Sequence, residues 1–91
     1  MAVSVRIPTV LRSYTHGESV VSVDAPEVRG VLDALDADYP GIKGRIVDEQ
    51  GAIRRFINIY VGNDDVRTDD GLDTKTADGA QVSVIPAVAG G

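Results

Sequence analysis

Few residues in this chain are equipped for chemistry. There is no cysteine and a single histidine, His16. That removes disulfides, thiolate metal sites and cysteine nucleophiles together, and it leaves a histidine-based metal site or triad without its other members. His16 falls in a polar stretch and reads as a solvated loop residue. The carboxylates Asp64, Asp65, Asp69, Asp70 and Asp73 crowd one segment. They lack the ordered spacing and closing glutamate of a calcium loop, and read as solvated turns or as a docking patch for a basic partner. Gly41, Gly44 and Gly51 are too scattered to cradle a phosphate. The pair that stands apart is Gly90-Gly91, placed directly after an apolar run and Pro86. No turn follows that would need their freedom in φ. Two residues without Cβ atoms thread a narrow channel and leave the Gly91 carboxylate open to acyl chemistry. A frayed, idle end has the same composition.

Positioning such an end requires a body, and the hydrophobic pattern supplies one. Val3, Val5 and Ile7 alternate with polar residues, the period of a half-buried strand that Pro8 stops. Leu11 to Gly17 reads as a polar loop, and Ser19 to Val23 as the hairpin partner of the first strand. Asp24 and Glu27 have the charge logic of a capping box, with Pro26 in the first helical turn. Val28, Val31, Leu32 and Leu35 then form one apolar stripe, with Asp33, Asp36 and Asp38 facing away, until Tyr39-Pro40-Gly41 ends the helix. Ile42, Ile46 and Val47 suggest a short turn or helix. Arg55 to Val61 is the strongest strand pattern; Gly62 to Asp65 is a turn, and Val66 opens a brief strand. Leu72 plugs the core within a polar stretch, and Gln81 to Ile85 is the final strand. The expected fold is α+β, a mixed sheet with one main helix on one face. Residues 1–86 form the domain and 87–91 a flexible tail.

Size and charge narrow the function. The 91 residues allow one domain with a limited core and little room for a deep catalytic cavity. The hydrophobic fraction of 43% suits a globular fold. No apolar run is long enough to span a membrane, and the start lacks the layout of a signal peptide. A net charge of -5 without a Lys/Arg block argues against nucleic-acid binding and for docking on a basic patch of another protein. The absence of cysteine fits a reducing compartment, and the expected location is cytoplasmic.

Several segments taken together resemble the ubiquitin-like β-grasp sulfur carriers. They are Ile7-Pro8-Thr9-Val10-Leu11-Arg12, Val28 to Leu35, Arg55-Phe56-Ile57-Asn58-Ile59-Tyr60-Val61 with Asp64-Asp65-Val66-Arg67, and Ala77 through Gly91. The family includes the small subunit of molybdopterin synthase and the thiamine-pathway carrier. The ending Pro86-Ala87-Val88-Ala89-Gly90-Gly91, with the strand from Phe56 to Val61, looks closest to the actinobacterial branch that serves cysteine synthesis. The resemblance implies a carrier that is not itself an enzyme and binds no cofactor. An E1-like adenylyltransferase/sulfurtransferase would use ATP to adenylate Gly91, and a sulfur donor would displace AMP to leave a C-terminal thiocarboxylate. A PLP-dependent cysteine synthase would accept the sulfur, and a metalloprotease would release the product. In the molybdopterin branch, Gly91 would insert into a large catalytic subunit.

Alternation places Phe56, Asn58 and Tyr60 opposite Ile57, Ile59 and Val61, and Ser83 and Ile85 opposite Val82 and Val84. A single helix covers one face only, so Phe56, Asn58, Tyr60, Ser83 and Ile85 form a candidate docking face, with Val88, Ala89 and Gly90 as the tether of Gly91. Burial of Phe56 and Tyr60 under loops is the competing reading. Two other functions share this body: a covalent protein modifier joined through Gly91 to a target lysine, and a plain binding module with an idle tail.

Overall fold

The computed structural model of the protein describes residues 2–86; the assignments made to Val88, Ala89, Gly90 and Gly91 lie outside the described residues. Strands β1 (Val3–Arg6) and β2 (Val20–Val23) form the expected antiparallel hairpin, with Val3 opposite Val23 and Val5 opposite Val21. Helix α1 (Val28–Asp38) crosses one face of the sheet, and a one-turn helix α2 (Lys43–Ile46) follows. Strands β3 (Ile57–Val61), β4 (Asp64–Asp65) and β5 (Gln81–Pro86) complete a five-stranded sheet in the order β2-β1-β5-β3-β4. β5 is parallel to β1 and antiparallel to β3, so the last strand occupies the centre of the sheet. This is the β-grasp arrangement.

The helix stripe and the inward strand residues meet as expected. Val28, Val31, Leu32 and Leu35 are buried against Val3, Val5, Ile7, Val21, Val23, Ile57, Ile59, Val82 and Val84. Val61 is half-buried instead, because β3 ends there and turns through Gly62-Asn63 into β4. Leu11, Ile42, Ile46, Val47 and Val66 also enter the core. Leu11 closes a 3-10 turn (Thr9–Leu11) rather than opening a polar loop, and Val66 begins a 3-10 turn (Val66–Thr68) rather than a strand.

The helix begins later than the sequence suggests. Glu27, extended at φ -150°, is the N-cap, and no side chain caps the helix. The segment Asp24 to Glu27 is held by residues 74–76 in place of a capping box. Val28 N–H donates to Thr74 O at 3.0 Å, Thr76 N–H donates to Pro26 O at 3.0 Å, and Thr76 Oγ1 donates to Ala25 O at 2.7 Å. Both threonines are buried. Long-range pairing thus takes the place of the local cap, as the obligation to satisfy buried backbone groups requires. At the other end of the chain, Pro86 does not stop β5 but is its last residue, opposite Ile57.

Candidate functional site at the end of strand β5

The two central strands present opposite faces of unlike character. Ile57, Ile59, Val82 and Val84 point under α1 and are buried, while Asn58, Tyr60 and Ser83 are half-buried and Ile85 is exposed. The register sets Asn58 opposite Ile85 and Tyr60 opposite Ser83. These four side chains line one shallow groove of about 300 Å³ with Gly62 and Asn63. Asn58 is itself held, since its Oδ1 accepts from Arg67 at 2.7 Å.

Phe56 sits elsewhere. It lies outside β3, in a turn closed by Ile57 N–H donating to Arg54 O at 2.8 Å. It lines a second depression, of about 350 Å³, with Val10, Leu11, Arg45, Arg54, Ile57 and Pro86. A third, of about 490 Å³, lies on the other flank of β5, bounded by Arg6, Pro8 to Val10, Arg12 and Ser83 to Pro86. The structure therefore brings Asn58, Tyr60, Ser83 and Ile85 together and sets Phe56 beside them at the strand's end. Val10 stands outside the docking face expected from alternation. It is 69% exposed; with Phe56 at 52% and Ile85 at 45%, it leaves three large apolar side chains in solvent around Pro86. Such a concentration of exposed apolar surface is a mark of an interaction site.

Charge is segregated along the same axis. The acidic hairpin end, Asp64 and Asp65, sits by Val61 and the start of β5, and Asp78 precedes that strand. Arg6, Arg12, Arg45 and Arg54 surround its far end. Arg45 Nε donates to Tyr14 Oη at 2.8 Å, and this hydrogen bond, then the electrostatic attraction of Tyr14, raises the guanidinium pKa above its ordinary value. Among the described residues no cluster of His, Cys, Asp or Glu is arranged to hold a metal, and no helix is long and apolar enough to cross a membrane.

A sequence profile of the ThiS family matches residues 5–91. The chain belongs to the ThiS family. Within it, the chain is similar to sulfur carrier protein CysO of Mycobacterium tuberculosis, at 46% identity over the whole of both chains. Its backbone is similar to a chain in the crystal structure of the Amycolatopsis orientalis BexX/CysO complex. The TM-score is 0.93 at 43% identity, over 99% of this chain and 100% of the other. It is also 40% identical to small archaeal modifier protein 3 of Haloferax volcanii, over 75% of this chain and 73% of that one. The ThiS fold is a ubiquitin-like β-grasp, so the expected architecture and family both hold.

Proposed function

We propose that this chain is a sulfur carrier whose reacting group is the carboxylate of Gly91. A carboxylate is a poor acyl donor, because its leaving group would be oxide. Activation solves this: a carboxylate oxygen attacks the α-phosphorus of ATP on an E1-like enzyme, pyrophosphate departs, and an acyl adenylate forms. The outer sulfur of a donor persulfide then attacks the carbonyl carbon and AMP departs with the bonding pair, giving an acyl disulfide. A thiol attacks the donor's inner sulfur, the S–S bond breaks toward the acyl group, and the thiocarboxylate leaves as a disulfide forms between that thiol and the donor. The carrier supplies an end, a tether through Val88, Ala89 and Gly90, and a body to be recognised. It is a co-substrate of the activating enzyme, holds no cofactor of its own, and works in the cytoplasm. Cysteine synthesis is the favoured destination of the sulfur, through a PLP-dependent synthase and a releasing metalloprotease.

The observation that carries this reading is the likeness to a protein named as a sulfur carrier, at 46% identity over the whole of both chains, with Gly90-Gly91 inside the matched span. The docking face of Asn58, Tyr60, Ser83 and Ile85, with Phe56 at its margin, fits the role because β5 leads directly toward residues 87–91. Adding one residue beyond Gly91 tests the reading. Sulfur loading should vanish while the far-UV spectrum and unfolding midpoint stay those of the wild type; undiminished loading at the new end refutes it.

The 40% identity to a small archaeal modifier protein supports a second reading, in which the activated Gly91 joins a target lysine. Both begin with adenylation. A ladder of high-mass conjugates carrying this chain in cell extracts favours the modifier; a carrier recovered as thiocarboxylate, without conjugates, favours the carrier.

A further inference from the structure

Four arginines reach the end of β5 from separate stretches of sequence. Arg6 and Arg12 line one flank of Ser83 to Pro86, and Arg45 and Arg54 line the other, with no aspartate or glutamate in either lining. Their hydrogen bonds go to neutral acceptors. Arg12 Nε donates to Ile7 O, Arg45 Nε to Tyr14 Oη, and Arg54 Nε and Nη2 both to Gly44 O. Arg6 is exposed and makes none among the described residues. Both ion pairs among the described residues lie at α1, Arg29 with Asp73 and Lys43 with Asp33. Among the described residues these four arginines form no ion pair, although Arg54 also borders a depression lined by Asp36, Asp48 and Glu49; they are interleaved with the exposed Val10, Phe56 and Ile85.

We propose that this arginine collar recognises the activating enzyme by seating on a rim of carboxylates around the opening that receives Gly91. The inference rests on reading Gly91 as the adenylated end. Residues 87–91 number five, and an extended chain covers no more than roughly 18 Å over that length. An enzyme holding the Gly91 carboxylate in its site is thus pressed against the surroundings of Pro86, which are basic and apolar. The attraction is opposite to what the net charge of -5 suggests, and the two facts combine usefully. An acidic rim repels the end of the sheet that carries Asp64 and Asp65 and attracts the end that carries the arginines. Encounters are steered toward the one orientation in which the tail reaches the site. A nucleic acid is a poorer occupant, because the whole chain repels a polyanion and apolar side chains interrupt the basic surface.

The test is the carrier's KM in ATP–pyrophosphate exchange with the purified E1-like enzyme of the same organism, at low and high salt. Arg6→Glu and Arg45→Glu should each raise KM by about three- to tenfold at low salt, leave kcat nearly unchanged, and lose most of that effect at high salt. Arg6→Ala should lie between Arg6→Glu and the wild type, and Arg6→Lys should stay near the wild type. Lys75→Glu makes the same change in net charge beside Glu27, away from the collar, and should have little effect. Unchanged KM in the arginine variants, an effect indifferent to salt, or an equal rise in Lys75→Glu overturns the collar. So does tighter binding of a single-stranded RNA oligonucleotide than of the enzyme. A wild-type chain that the enzyme never adenylates overturns the reading of Gly91 and this inference with it, whereas normal adenylation with indifferent arginine variants overturns the collar alone.

Discussion

Strands β3 and β5 carry two sets of side chains on one backbone. On the covered face Ile57, Ile59, Val82 and Val84 are sealed beneath α1; on the open face Asn58, Tyr60, Ser83 and Ile85 keep contact with solvent. The alternation of a strand makes the division unavoidable, since neighbouring residues point to opposite sides. A sheet covered by one helix therefore folds with one face and is free to recognise with the other. Because β5 is central in the sheet, Gln81 to Ser83 pair with β1 on one side and Val82 to Pro86 pair with β3 on the other. A partner on the open face meets a rigid platform rather than a loop.

Substitutions on the two faces should separate stability from recognition. The largest stability effect belongs to the covered side. Leu32→Ala empties a fully buried position and should cost about 2–5 kcal/mol, a large share of the stability of so small a domain. A denaturant midpoint equal to the wild type would show that the core is drawn wrongly. Thr76→Val should cost less, about 1–3 kcal/mol, because it leaves the Ala25 carbonyl without its hydroxyl donor in a buried corner. No change there would mean that the 74–76 segment does not secure the start of α1. On the open face the ordering reverses. Tyr60→Ala should alter stability least and raise the carrier concentration needed for half-maximal loading, since half-buried aromatic residues are common anchors at interfaces. A Tyr60→Ala chain loaded normally at sub-saturating concentration would collapse the distinction between the faces.

The fold was legible where periodicity was strong. The strands at Val3, Val21, Ile57 and Val82 and the stripe from Val28 to Leu35 declare their faces by spacing alone. What escaped was non-local. Asp24 and Glu27 look like a capping box because that motif is local, but the backbone there pairs with Thr74 and Thr76, about fifty residues away. Leu11, Ile42, Ile46, Val47 and Val66 are buried although their segments carry no sustained period, since a short turn buries one or two side chains without repeating. The candidate site divides in the same way. Asn58, Tyr60, Ser83 and Ile85 follow from alternation and meet across the β3–β5 ladder. Phe56 has the same parity but lies before the strand, where a turn carries it into a separate depression. The convergence of Arg6, Arg12, Arg45 and Arg54 has no signature in the sequence, because nothing in their spacing records the parallel pairing of β1 with β5.

The most direct test of the central claim is the intact mass of the carrier after incubation with the E1-like enzyme, ATP, a persulfide donor and a thiol reductant. The account predicts a gain equal to one sulfur replacing one oxygen. Fragmentation should place it on Gly91, and it should be lost when ATP is omitted. An unchanged mass under conditions where the enzyme consumes ATP with this chain, or a gain located on any other residue, would contradict it.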